Sequence, residues 1–145
     1  MAEAKKVKIL FVEDESLLRS LFGEALSLDA EYQYEILGAT SLEEGLKAVD
    51  NTRPDVIILD LILPYDGGKG LSEERGMLFL EKIKSNPLLK TIPIVVFSNL
   101  DDVETKNRAF ELGADTYLVK SETLPETFLA TIKNTLKKLP AGQTV

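Results

Sequence analysis

A chain of 145 residues has the usual length of one globular domain, and folding of such a chain buries roughly two thirds of the surface it exposes when unfolded. The sequence contains no cysteine and no histidine, which excludes disulfides, thiolate chemistry, histidine-based acid/base catalysis and zinc sites built from either residue. Any bound metal is therefore expected to be a hard cation held by oxygen atoms, such as Mg2+. The formal net charge of −7 argues against non-specific binding to nucleic-acid phosphates, which needs an excess of lysine and arginine.

No apolar run reaches the length of a membrane span, and the opening MAEAKK lacks the hydrophobic segment of a secretory signal. We therefore predict a cytoplasmic protein without membrane contact. Residues 5–139 are predicted to form a single domain, with flexible termini at residues 1–4 and 140–145.

The predicted elements alternate strand and helix along the whole chain. The strands are predicted at Val7–Val12, Tyr34–Leu37, the apolar run from Asp55 to Asp60, Ile94–Phe97 and Thr116–Val119. The helices are predicted at Ser16–Leu28, Ser41–Val49, Gly76–Ser85, Asp101–Leu112 and Leu124–Leu139. Alternation with short connections implies right-handed crossovers, so we predict an α/β fold: a doubly wound, five-stranded parallel sheet with five helices covering both faces.

Local signals refine some of these helices. Ser41 and Glu44 form a capping box at the start of the second helix, and Gly113 is placed to end the fourth in a left-handed conformation. Apolar residues at helical spacing predict a buried stripe on the first helix, made of Leu17, Leu18, Leu21, Phe22, Ala25 and Leu26. The fourth helix is predicted to turn Val103, Ala109, Phe110 and Leu112 toward the core.

The segment from Pro64 to Arg75 (PYDGGKGLSEER) is unlike the rest of the chain, because glycine and proline fill four of its first seven positions. This composition predicts a long loop. One interpretation is a tolerated surface insertion, since lengthening a loop costs little free energy. The other is a loop that contacts a partner or covers the carboxylate of Asp60.

Polar side chains stand at the ends of four predicted strands. Asp60 ends a strand that reads as buried on both faces, Glu13 and Asp14 follow the first strand, Ser98 follows the fourth and Lys120 the fifth. Parallel strands present the same end at one edge of the sheet, where ligands bind in open α/β folds. We therefore expect these side chains to converge, although each alone could be an ordinary surface or turn residue.

The expected cluster has the parts that a phosphoryl transfer needs. Carboxylates gathered at one edge repel each other and recruit a hard cation. Lys120 can pair with an incoming anion and Ser98 can donate a hydrogen bond to it. Aspartate is a known nucleophile that forms an acyl phosphate, so Asp60 is the candidate acceptor.

The pattern from about Lys5 to Leu139 resembles the receiver domain of two-component response regulators. The resemblance is carried by Val12-Glu13-Asp14, Asp60-Leu61-Ile62-Leu63-Pro64, Phe97-Ser98 and the run AFELGADTYLVK from Ala109 to Lys120. It implies a flavodoxin-like fold with strand order 2-1-3-4-5, as in single-domain chemotaxis receivers.

The same resemblance implies a role for each site residue. Asp60 would accept a phosphoryl group from a phosphohistidine of a sensor histidine kinase or a histidine phosphotransfer protein. Asp14, Asp60, the backbone carbonyl of Ile62 and, through water, Glu13 would surround Mg2+. Lys120 would pair with the charge on the acceptor.

Ser98 and Tyr117 would form the switch that responds to phosphorylation. By resemblance, the Ser98 hydroxyl moves toward the phosphoryl group and the Tyr117 ring turns inward, because the new charge and acceptor oxygens bias a bistable loop. The face made by the fourth helix, fifth strand and fifth helix, residues 101–139, would then control a downstream protein or form a phosphorylation-dependent homodimer.

Three positions depart from the family pattern or tune it. The family often has a cis proline after the lysine, whereas Ser121 stands here, so a trans peptide bond is expected. Ile62 and Leu100 occupy the positions that tune dephosphorylation, and neither can orient an attacking water. We therefore predict slow self-dephosphorylation.

The leading hypothesis is a stand-alone phosphoacceptor module that is not an enzyme, apart from assisting its own phosphorylation and slow dephosphorylation. A phosphohydrolase with an aspartyl phosphate would carry Asp-x-Asp, and Ile62 replaces the second carboxylate. A phosphorylation-independent module of the same fold would not need so complete a site. A flavin-binding protein would need a phosphate-cradling loop after its first strand, which the sequence lacks.

Overall fold

The computed structural model of the protein describes residues 5–64 and 71–138. Its strands are β1 (Lys5–Val12), β2 (Tyr32–Ala39), β3 (Val56–Leu59), β4 (Leu63–Pro64), β5 (Leu71–Ser72), β6 (Ile94–Ser98) and β7 (Thr116–Val119). Its helices are α1 (Ser16–Ser27), α2 (Leu42–Thr52), α3 (Glu73–Lys84), α4 (Val103–Glu111) and α5 (Pro125–Lys137), and the 3-10 helix Lys120–Glu122 connects β7 to α5. The termini predicted to be flexible, residues 1–4 and 140–145, lie outside the described residues.

Five of the strands form one parallel sheet in the order β2-β1-β3-β6-β7. Because β4 and β5 pair only with each other, this is the predicted order 2-1-3-4-5 of the main strands, and the predicted fold class is confirmed. All four residues of the central strand β3 are buried, as its apolar sequence predicts. None of the helices within residues 5–64 and 71–138 has the length and hydropathy that crossing a bilayer requires.

The core lies in two layers, one on each face of the sheet. On one face α1 and α5 pack through Phe22, Leu26, Phe128 and Ile132. On the other face α2, α3 and α4 pack against the sheet, and Phe79 of α3 is completely buried there. Both layers include residues of the central strands β1, β3 and β6, so these strands are held between two close-packed layers.

Two helices are less buried than their sequences predict. In α1, Phe22 and Leu26 are buried, but Leu17 is 81% exposed and Leu21 is 49% exposed. In α4, Val103 is 71% exposed and Phe110 is 48% exposed. The predicted stripes were too wide, because each helix covers the sheet with one narrow face and leaves its flanks in water.

The predicted loop from Pro64 to Arg75 was wrong at both ends. β4 and β5 form a short antiparallel pair in which Leu63 faces Ser72 and Pro64 faces Leu71, while residues 65–70 lie outside the described residues. α3 begins at Glu73, three residues before the predicted start at Gly76. Ser72 caps this helix, since its hydroxyl oxygen accepts from the amide of Glu74 at 3.1 Å.

A charged cluster joins the segment after α1 to α5. The side chain of Asp29 is 4% exposed and accepts hydrogen bonds from the Tyr34 hydroxyl at 2.7 Å, the Glu31 amide at 2.9 Å and Lys133 Nζ at 3.3 Å. Burial acts to raise the pKa of the Asp29 carboxyl, but these donors outweigh it and hold that pKa below its usual value. The cluster therefore ties chain positions 104 residues apart through one ionised carboxylate.

Asp29→Asn is expected to lower the free energy of unfolding at neutral pH by about 1–2 kcal/mol, because it weakens hydrogen bonds made to a charged group. The lowered pKa means that the carboxylate stabilises the fold above its unfolded pKa of about 3.9 and loses this effect as the pH falls through its folded pKa. The difference from wild type, measured by urea unfolding, should shrink from about pH 5 down to about pH 2. Asp50→Asn, at an exposed position of α2, is the matched control. A stability difference between Asp29→Asn and wild type that does not change with pH would contradict the prediction.

Candidate functional site

Three of the predicted site residues directly follow a strand of the main sheet. They are Glu13 after β1, Asp60 after β3 and Lys120 after β7. Val12 pairs with Leu59 in the register of β1 and β3, and the amide of Asp60 donates to the carbonyl oxygen of Val12 at 2.9 Å. The strands run parallel, so the residues that follow them meet at the carboxyl edge. The sheet register thus places the two acids side by side.

Lys120 binds both acids. Its Nζ lies 2.6 Å from Glu13 Oε2 and 2.9 Å from Asp60 Oδ2, and these three side chains are 4–6% exposed. The other carboxylate oxygen of Asp60, Oδ1, accepts from the amide of Ile62 at 3.1 Å. Both oxygens of Asp60 are therefore oriented, one by a buried ammonium and one by a backbone N–H. The structure brings together three of the predicted site residues, Asp60, Lys120 and Glu13.

The electrostatics of this group favour added positive charge. Burial and then the charge of Asp60 raise the pKa of Glu13 to about 7, against the lowering effect of Lys120. Burial acts to lower the pKa of Lys120, but the neighbouring charges of Asp60 and Glu13 outweigh it and raise that pKa. Two buried carboxylates share this one lysine, so ionising both of them leaves a net negative charge that a further cation would offset.

The acids after β1 are suited to a divalent cation. Carboxylate oxygens of Glu13, Asp14 and Glu15 lie within 4.8 Å of one another, and the amide of Glu15 donates to Glu13 Oε1 at 3.2 Å. An oxygen-only donor set beside an excess of negative charge fits Mg2+. The sequence did not single out Glu15 as a ligand, and its place in the run Glu13-Asp14-Glu15 was the available signal. Asp14 is exposed, so this group opens to solvent.

Ser98 and Tyr117 both form hydrogen bonds to the backbone of Leu100. Ser98 is fully buried, and its hydroxyl oxygen accepts from the Leu100 amide at 3.2 Å. The Tyr117 hydroxyl donates to the Leu100 carbonyl oxygen at 2.6 Å. Burial raises the pKa of Tyr117 to about 12, against a lowering contact with Ser98. The two predicted switch residues therefore hold the same short segment after β6.

Gly76 of α3 packs against the backbone of Leu61, the residue that follows Asp60, whereas the sequence predicted only the start of a helix at Gly76. Its amide donates to the carbonyl oxygen of Leu61 at 3.0 Å, and a Cβ on Gly76 would lie 2.6 Å from the Leu61 carbonyl carbon. Leu61 follows Asp60 directly and is fully buried. The close approach of α3 to Leu61 therefore requires glycine at position 76.

Comparison with known proteins identifies the family to which this chain belongs. The family model of the response regulator receiver domain matches residues 9–133. The chain belongs to the receiver domains of two-component response regulators.

Individual relatives agree with this assignment. The chain is 30% identical to "Probable transcriptional regulator ycf27" of Porphyridium aerugineum over 93% of its length, and 29% identical to the phosphate regulon transcriptional regulatory protein PhoB of Pseudomonas aeruginosa over 92%. It spans about half the length of these curated relatives, 50% and 53% respectively. The regulators therefore extend well beyond the part that resembles this chain.

Solved structures show the same architecture. The Mn2+-bound form of the response regulator Rcp1 matches with a TM-score of 0.76 and 28% identity, covering 93% of this chain and 99% of that one. The phosphorylated cyanobacterial phytochrome response regulator RcpA matches with a TM-score of 0.73 and 28% identity, covering 92% and 94%.

Proposed function

We propose that Asp60 accepts a phosphoryl group from a phosphohistidine of a sensor histidine kinase or a histidine phosphotransfer protein. The observation that carries the proposal is the buried contact of Lys120 with Asp60 Oδ2, which holds a cation where a transferred phosphoryl group would bring negative charge. The phosphorylated state named for RcpA supports the same chemistry on this fold. A buried ammonium stabilises that charge more strongly than one in water.

The transfer step uses one carboxylate oxygen of Asp60 as nucleophile. It forms a bond to phosphorus while the bond from phosphorus to the donor's imidazole nitrogen breaks, and that nitrogen keeps the electron pair. The product is an acyl phosphate. The Ile62 amide and Lys120 hold the carboxylate in place, and the Ser98 hydroxyl can donate to a phosphoryl oxygen.

We propose Glu13, Asp14, Asp60 and the backbone carbonyl of Ile62 as the groups that hold Mg2+. Bound there, the ion would offset the negative charge that gathers as the phosphoryl group arrives. The Mn2+ in Rcp1 supports a divalent cation on this fold. Glu15 lies in the same acidic group and adds to its negative potential.

The phosphorylated form is proposed to be long-lived, and the protein is proposed not to turn over phosphate esters. Ile62 and Leu100 are half-buried and apolar, so neither offers a group that could orient an attacking water. Decay of the phosphorylated form, followed by intact mass after the phosphodonor is removed, measures this. A lifetime of seconds would contradict the proposal.

The output surface is proposed to be the face of α4, β7 and α5. Val103 and Phe110 stand exposed on α4, while the Tyr117 ring lies on β7 with its centroid 6.5 Å from that of Phe110. Tyr117 also holds Leu100 next to the site, so movement of that segment reaches this face. A protein that binds this apolar surface is the expected downstream partner, and the net charge of −7 opposes direct contact with nucleic acid.

The experiment is incubation with Mg2+ and a small acyl phosphate, followed by intact mass measurement. Wild type is expected to gain one phosphoryl group and Asp60→Asn none, because the amide is not a nucleophile for this transfer. Asp50→Asn removes the same charge from an exposed position on α2 and should label like wild type. Equal labelling of wild type and Asp60→Asn, or no labelling of wild type, would overturn the proposal and favour a phosphorylation-independent binding module.

A further inference from the structure

The residues that follow Ser98 and Lys120 are joined by a hydrogen bond that the proposed chemistry does not use. The amide of Ser121 donates to Asn99 Oδ1 at 3.1 Å. Ser98 pairs with Val119 at the last position of the β6 and β7 ladder, so this bond lies just beyond the end of the ladder. It connects the segment after β6 to the segment after β7.

The donor in this bond is available because of the local helix. Ser121 is the second residue of the 3-10 helix Lys120–Glu122, whose N-terminal amides have no partner inside the helix. At the end of that turn the Thr123 amide donates to the Lys120 carbonyl oxygen at 3.3 Å. A proline at position 121, which the family often has, would lack the N–H, so the bond requires a residue other than proline there.

The two joined segments carry the two groups expected to bind a phosphoryl group. Ser98 precedes Asn99 and supplies the hydroxyl, and Lys120 precedes Ser121 and supplies the ammonium. Among the contacts of the described residues, Tyr117 and the Ser98 hydroxyl both act on Leu100, whereas Asn99 reaches across to the segment after β7. The bond therefore limits how far these two backbones can separate.

We propose that Asn99 is a positioning residue, which through Ser121 holds the Ser98 hydroxyl and the Lys120 ammonium on the same side of Asp60. This inference rests on the proposed function. Both groups must meet one phosphoryl group, and holding them ready before it arrives lowers the entropic cost of the transfer. Asn99 itself is exposed and does not contact the acceptor in the described contacts.

The test compares rates of phosphorylation by a small acyl phosphate with Mg2+ for wild type, Asn99→Ala, Ser121→Pro and the double variant. Each single change removes one partner of the bond, and Asn99→Ala is expected to slow labelling about threefold to tenfold, the range of one modest hydrogen bond. The double variant should be no slower than the slower single variant, because both changes remove the same interaction. Ser121→Ala keeps the amide and is the matched control, expected to label at the wild-type rate.

A second measurement separates positioning from a general loss of structure. Hydrogen exchange of the Ser121 amide should be faster in Asn99→Ala, while the amides of β6 and β7 and the midpoint of urea unfolding stay as in wild type. Labelling of Asn99→Ala at the wild-type rate, or additive effects in the double variant, would overturn the inference and leave the proposed function intact. Failure of wild type to label would overturn the proposed function and this inference with it.

Discussion

Gly76→Ala is expected to destabilise the fold by about 3 kcal/mol or more, the upper part of the range for overpacked sites. The new Cβ would collide with the backbone of Leu61, including its carbonyl carbon at 2.6 Å. Movement of either backbone would cost free energy. Leu61 is fully buried, and the amide of Gly76 is hydrogen-bonded to the carbonyl oxygen of Leu61 at 3.0 Å. Urea unfolding at neutral pH measures the loss.

Gly23→Ala is the matched control for that experiment. Gly23 also lies inside a helix, but a Cβ there would meet only Ile36 Cγ1, at an ordinary 3.8 Å. Alanine is the better helix former, so this variant should be as stable as wild type or more stable by up to about 1 kcal/mol. If both variants unfold at the same urea concentration, the prediction is contradicted, because the close approach of α3 to Leu61 then does not require glycine at position 76.

Lys120→Ala is expected to reduce phosphorylation on the order of 100-fold, the usual effect of removing one preorganised charge from a reacting centre. It also leaves Glu13 and Asp60 buried without a cation, which should destabilise the apo protein by about 3 kcal/mol. Added Mg2+ should restore more stability to this variant than to wild type, because negative charge at the site is then less compensated.

The rate and the stability of Lys120→Ala are checked against Lys137→Ala, which removes the same charge from an exposed position near the end of α5. That control should match wild type in labelling by acyl phosphate and in urea unfolding. Labelling of Lys120→Ala at the wild-type rate would contradict the prediction, because the buried ammonium would then stabilise the fold without assisting phosphorylation.

The sheet and its edge could be predicted because they depend on patterns that the backbone enforces. A short run of β-branched and large aliphatic residues such as Val56–Leu59 favours a buried strand, and parallel strands must present their following residues at one edge. The meeting of Glu13, Asp60 and Lys120 is a consequence of those two facts. Strand order itself came from the family resemblance, since alternation of strands and helices permits several orders.

Other features depend on packing distances that the sequence does not encode locally. Leu17 and Val103 follow helical spacing yet lie exposed, because the width of the buried face is set by how closely each helix approaches the sheet. The early start of α3 rests on the Ser72 cap, which is hard to distinguish from a serine in a loop. Gly76 contacts Leu61 and Asn99 contacts Ser121, and both partners are distant in the sequence. Neither contact can be predicted without the three-dimensional structure.

The pairing of β4 with β5 suggests where this protein could be engineered. Pro64 and Leu71 are paired opposite each other, so the two backbone positions that flank residues 65–70 are close in space. The free-energy cost of lengthening such a closed segment rises only slowly with the number of residues added. A peptide epitope or a small reporter domain inserted between these two positions would begin at least five residues after Asp60 and would leave the register of the main sheet unchanged. The fold thus offers an insertion point for a reporter close to the carboxylate that we propose as the phosphoryl acceptor.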